Sequence, residues 1–133
     1  MQKLGAFAVV QDRASRVLLC HRTDMDAWNL PGGGVEFGEA PWEAVVREVE
    51  EEAGLQVRVE ELVGLYSVPD QQVLVSLFRC VRIAGSLRLG AEADAIDWFP
   101  HDALPASTLP RHVERITDAV STTRTAIMKI QAG

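Results

Sequence analysis

Apolar positions along this chain fall into extended runs with two helical stretches set among them. Leu4 to Val10 and Val17 to His21 are apolar and rich in β-formers, with polar Gln11 to Arg16 between them. They predict a hairpin closed by a polar turn. From Pro41 the period changes. Trp42, Val45, Val46, Val49 and Ala53 recur at helical spacing, so this stripe is expected to face the core. Pro41 suits the first helical turn, and Gly54 suits the left-handed residue that ends a helix. Beyond it, Val57 to Val68 alternates in part and predicts a strand, with Gly64 as a bulge. Pro69-Asp70 marks a turn, and Val73 to Ile83 is apolar enough for a central strand. Gly85 to Gly90 predicts another turn. In Thr108 to Gln131, with Pro110 near the start, Val113, Ile116, Val120, Ile127 and Ile130 share one face of a predicted long closing helix. His101 and His112 are expected at the surface, and Trp28 packed beneath the glycine-rich segment that follows it.

The acids of the first helix change this picture. At about 100° per residue, Glu48, Glu51 and Glu52 fall in one arc beside the apolar stripe, with Glu43 and Glu50 on the opposite flank. A charged helix face is usually just solvated. Here Glu50, Glu51 and Glu52 occupy the last turns, where the helix dipole disfavours negative charge. Carboxylates gathered in one arc repel one another unless a cation intervenes. Magnesium takes oxygen ligands, often shared between carboxylates and substrate phosphates. Gly32, Gly33 and Gly34 precede the helix, and without side chains their backbone can approach an ion or an anhydride closely.

The spacing from Gly33 to Leu55 resembles the Nudix box, G-x5-E-x7-R-E-U-x-E-E-x-G-U with U a bulky aliphatic. Gly33, Glu39, Arg47, Glu48, Val49, Glu51, Glu52, Gly54 and Leu55 fill every specified position. The resemblance implies an α/β Nudix fold, with a mixed β-sheet sandwiched between α-helices. It also implies hydrolysis of a nucleoside diphosphate linked to another moiety, with Mg2+ or Mn2+. In that reading Glu48, Glu51 and Glu52 are metal ligands, the Gly32 carbonyl joins them, and Arg47 holds one of the acids in place. Glu92, six residues before Trp98, matches an additional family acid as metal ligand or general base, with Asp94 its nearest competitor. Glu48 and Glu92 both remain open as the general base. Arg22, with Gly33 and Gly34, is assigned to substrate. Asp102-Ala103-Leu104-Pro105 resembles the family's continuation after the W-F pair. Ala40 departs from the Ser or Thr frequent before the helix, which removes a side-chain cap.

ADP-ribose and other nucleotide sugars, and (d)NTPs, are both expected substrate types. Members specific for ADP-ribose often carry a proline after the box, and Pro69 lies slightly short of that place. The alternative is a Nudix-fold module that senses a nucleotide without cleaving it. Such modules usually have eroded acids, whereas this box is complete.

Composition adds limits. With 133 residues the chain is expected to form a single domain, 1–133. Its formal net charge of −6 argues against a nucleic-acid groove; the small nucleotide expected as partner is what the resemblance implies. The family also suggests a homodimer. Two cysteines, Cys20 and Cys80, lie in apolar runs as small hydrophobes, too few for a disulfide scaffold. The first residues, MQKLGAFAVVQDR, contain an apolar run too short for a signal peptide or membrane span, so a cytoplasmic location is expected and no membrane partner.

Overall fold

The computed structural model describes residues 2–121 and 125–132. Eight strands and two helices follow in the order β1 (Lys3–Val10), β2 (Val17–Arg22), β3 (Trp28–Asn29), β4 (Gly32–Gly34), α1 (Pro41–Ala53), β5 (Leu55–Val68), β6 (Val73–Gly85), β7 (Ala93–Phe99), α2 (Pro110–Val120) and β8 (Ile127–Ile130). The α/β architecture expected from the box is present, with its strands divided between two sheets. A five-stranded mixed sheet runs β4-β1-β6-β5-β8, and a three-stranded sheet runs β3-β2-β7.

Side-chain alternation places these sheets between the helices. On one face Ala6, Ala8, Val10, Leu18, Phe78 and Cys80 pack with Ala44, Val45, Val49 and Ala53 of α1. On the other, Val9, Val17, Leu19, Val75 and Leu77 pack with Ile116 and Ala119 of α2. Successive residues of a strand point to opposite faces, so β1, β2 and β6 each feed both clusters. Consecutive apolar side chains such as Ala8, Val9 and Val10, or Val17, Leu18 and Leu19, are thereby all buried. β6 is central, parallel to β1 and antiparallel to β5, as its apolar density indicated.

Four sequence expectations are corrected. β1 and β2 form no hairpin: β1 pairs with β4 and β6, β2 with β3 and β7, and only the Gln11–Val17 bridge joins them. Asp12 builds the corner, its Oδ1 accepting from the Ala14 and Arg16 amides at 2.9 Å, and the chain passes into the second sheet. The closing helix ends at Val120, and Ile127–Ile130 is an edge strand parallel to β5; positions 122–124 of that expected helix lie outside the described residues. Trp42 is 59% exposed, because burial along α1 begins two residues later at Ala44. His112 is buried, 6% exposed, where α2 packs on β1; His101 is exposed.

β5 shifts register between Leu62 and Gly64, and a Cβ on Gly64 would lie 2.7 Å from the Ile127 carbonyl of β8. Trp28 packs edge-on against Phe99, ring centroids 4.9 Å apart. Cys20 and Cys80 are buried and free. Among the described residues no helix is long and apolar enough to cross a membrane.

Candidate active site

Helix α1 carries the site because both of its ends are fixed. Ala40 enters in extended conformation without a side-chain cap, and Glu43 reaches back instead to accept from the Ala40 amide at 2.9 Å. Gly54 closes the helix at φ 77°, and its amide donates to the Glu50 carbonyl at 2.9 Å. The segment after β6 then covers the end. The Arg88 amide donates to the Ala53 carbonyl at 2.8 Å and the Gly90 amide to the Glu52 carbonyl at 3.1 Å. These donors satisfy carbonyls that a free helix end would leave without partners.

Arg47 organises the exposed side of this helix. Its Nε and Nη2 bind Glu39 bidentately at 2.8 and 2.9 Å, and Nη2 also donates to the Gly34 carbonyl at 3.2 Å. Nη1 donates to Glu48 and to Glu51, each at 3.1 Å, with Glu36 at 3.7 Å. Glu39 is held down to about 2, chiefly by its hydrogen bonds to Arg47. One guanidinium thus fixes two acids of the arc and ties them to the glycine segment.

Glu52 faces the other way, toward β4. Its carboxylate accepts from the Gly32 amide at 3.0 Å and lies near the carboxyl of Glu48. Burial pushes Glu52 up to about 8, and the charges of Glu48 and Glu92 add to the shift. Burial raises Glu48 as well, against the opposing pull of Arg47, with Glu51 and Glu92 contributing. Neighbouring carboxyl groups partly out of water favour a bound proton or a cation between them. The donor set therefore suits a hard divalent ion. Among the described residues no three acidic, histidine or cysteine side chains converge into a ready cage; Glu51 is turned toward Arg47.

The glycines differ in their purpose. Gly32 has φ 153°, and a Cβ there would lie 2.4 Å from the Ala6 carbonyl, so pairing with β1 demands glycine. At Gly33 a Cβ would lie 2.8 Å from Glu48 Oε1. Gly34 has open space around it and contributes its carbonyl to Arg47.

A cleft of about 470 Å3 opens over this arrangement, lined among others by Cys20, Arg22, Gly32, Gly33, Glu52 and Glu92. Arg22, at the end of β2, and Glu92, just before β7, are thereby brought to the box acids. Arg22 is engaged with Asp24 at 2.7 and 2.6 Å. Asp94 instead binds His21 Nδ1 at 2.7 Å, which leaves Glu92 as the acid beside Glu52. The sequence reading missed Glu36 in the Arg47 cluster, and also Arg88 and Gly90 at the helix end. Gly90 carried a signal in its type alone, since a Cβ there would lie 2.3 Å from the Glu51 carbonyl.

The NUDIX domain family model matches residues 1–120. The chain belongs to the Nudix family. Nudix hydrolases act on phosphorus-containing acid anhydrides, and this chain keeps their box complete. It is 32% identical over 120 residues to a MutT-like protein of Streptomyces ambofaciens, covering 90% of this chain and 78% of that protein. It is 38% identical over 101 residues to an ADP-ribose pyrophosphatase of Methanocaldococcus jannaschii, covering 71% of this chain and 60% of the relative. A NUDIX hydrolase structure from Nitrosomonas europaea superposes with TM-score 0.87 at 22% identity, covering 99% of this chain and 80% of that one. That last likeness concerns the fold.

Proposed function

We propose that this Nudix protein is a Mg2+-dependent pyrophosphohydrolase of the cytoplasm, a single domain over 1–133. It would cleave the phosphoanhydride of a nucleoside diphosphate linked to another moiety, of the ADP-ribose or nucleotide-sugar type or a (d)NTP, by water attack at phosphorus. The observation that carries this reading is the part-buried Glu52 carboxylate held on the Gly32 amide, with Glu92 lining the same cleft and Glu48 near enough to act on its charge. Glu48, Glu51, Glu52, the Gly32 carbonyl and Glu92 would hold the cation, with Mn2+ as a substitute. Such a cation lowers the pKa of water and neutralises charge growing on phosphoryl oxygens.

The residues of the chain then divide the remaining work. Arg47 keeps Glu48 and Glu51 in register with the glycine segment. Glu48 or Glu92 takes the proton of the attacking water. Arg22 releases Asp24 and pairs with a phosphate, a bidentate partner of the same geometry. Gly33 and Gly34 leave the backbone open to the anhydride. Support for ADP-ribose among these substrates comes from the name of the Methanocaldococcus relative.

A panel of ADP-ribose, nucleotide sugars and (d)NTPs, incubated with magnesium and separately with chelator, tests this reading. Hydrolysis of at least one compound with magnesium, abolished by chelator, is expected. Binding without turnover of any member would favour the silent sensing module instead.

A further inference from the structure

The cleft over the acids continues into a second cavity of about 710 Å3, and Phe7, Arg22, Asn29 and Gly33 line both. Its far wall comes from α2, through Arg111, His112 and Arg115. None of these residues has a part in the chemistry assigned to the box.

Arg115 is 3% exposed, yet its side chain lines the cavity. Its Nε donates to Gln131 Oε1 at 3.1 Å, and its guanidinium lies 5.3 Å from the Phe7 ring centroid and 5.6 Å from that of Tyr66. Among the described residues no carboxylate makes an ion pair with it, although buried charges are ordinarily paired. Burial lowers Arg115 only to about 10, so it is cationic at neutral pH. Neighbouring Arg111, by contrast, is paired with Asp70 at 2.8 Å.

His112 sharpens the point. Its Nδ1 lies 3.0 Å from the Leu30 amide, an obligate donor, so Nδ1 is the acceptor. Burial and the positive charges of Arg115 and Arg22 push His112 down to about 3, so the ring is neutral and its one proton is on Nε2. That nitrogen faces Arg115 Nη1, itself a donor, at 3.3 Å. Two N–H donors thus meet at the cavity wall without an acceptor between them. Two donors, one of them a buried cation with no ion-paired carboxylate among the described residues, form the complement of an anionic oxygen.

We propose that His112 and Arg115 form an anion-binding subsite for a phosphate monoester or carboxylate carried on the part of the substrate that is not hydrolysed. The proposal rests on the reading that the chain takes nucleoside diphosphate derivatives, and it narrows them to those with a second anionic group remote from the anhydride. Asn29 and Phe7 line the path between the two ends.

Matched pairs test it: UDP-glucose against UDP-glucuronate, which adds a carboxylate, and NADH against NADPH, which adds a phosphate monoester. Binding is measured by calorimetry in chelator, and turnover is measured separately with magnesium. Wild type should prefer the charged member of at least one pair by about tenfold or more in affinity, as expected for a charge-assisted contact. The pair that shows the preference identifies the anion. Arg115→Gln should abolish it. Because that change touches the core, His112→Asn provides a second variant: its amide oxygen can still accept from the Leu30 amide while the Nε2 donor is lost, and the preference should shrink several-fold. A charged-member preference in binding without turnover of any compound would overturn the hydrolytic reading and leave the subsite standing. Absence of the preference in wild type, or its survival in both variants, would overturn the subsite.

Discussion

Glu52 shows what one residue contributes. Its carboxyl is partly buried, with a single backbone donor and the carboxyl of Glu48 nearby. Its pKa of about 8 in the folded protein lies above the ordinary 4.5. Between these values the folded state binds more protons than the unfolded state, so metal-free protein loses stability as pH rises through this window. The loss is complete above the folded value and absent below the unfolded one. Its upper limit is roughly 5 kcal/mol, reduced by solvent around a partly exposed group. In chelator, Glu52→Gln is therefore expected to melt like wild type near pH 5, to melt higher at pH 8.5, and to gain less from added magnesium. Parallel pH profiles for the two proteins would contradict this. Gly33 gives a complementary case. Gly33→Ala presses a methyl group against the Glu48 carboxylate, the movable end of a side chain. The variant should fold with a stability change below about 1 kcal/mol, yet lose most of its turnover because Glu48 is displaced. Retention of full activity would separate Glu48 from the chemistry.

At the scale of elements, α1 was legible because its signals are local. Pro41, Gly54 and the spacing of Val45, Val49 and Ala53 specify a helix without help from elsewhere, and the acid arc follows from its period. Ala40→Ser would let a hydroxyl complement the Glu43 contact already present, and should raise stability by about 0.5 to 1 kcal/mol with turnover unchanged. An unchanged denaturation midpoint would show that the cap position is already saturated. Elements set by partners were less legible. The runs of β1 and β2 look alike in sequence, and only the competing strands β4, β6, β3 and β7 decide that they occupy different sheets. The terminal helix was overextended because Ile127 and Ile130 fit both helical spacing and a short strand. The intervening Ser121-Thr122-Thr123-Arg124-Thr125 was the available signal, since Ser and Thr are poor helix formers.

At the scale of the whole molecule, the site is assembled from stretches that meet only through the sheets. The box supplies Arg47 and three acids, β2 brings Arg22 to the cleft, and the segment before β7 brings Glu92. Motif spacing could group the acids because they share one helix. It gave no view of the cavity between β1 and α2, whose residues Phe7, His112 and Arg115 are far apart in sequence. His112 was misplaced at the surface for that reason. The central claim is that the arc of α1 acts through a cation, and side-by-side magnesium-dependent turnover of wild type, Glu51→Gln and Glu50→Gln tests it most directly. Both residues are exposed acids at the same end of one helix. Glu51→Gln is expected to lose at least about a hundredfold in turnover, roughly 3 kcal/mol of charge stabilisation, while Glu50→Gln stays close to wild type. Equal losses in the two variants, or no loss in Glu51→Gln, would contradict the account.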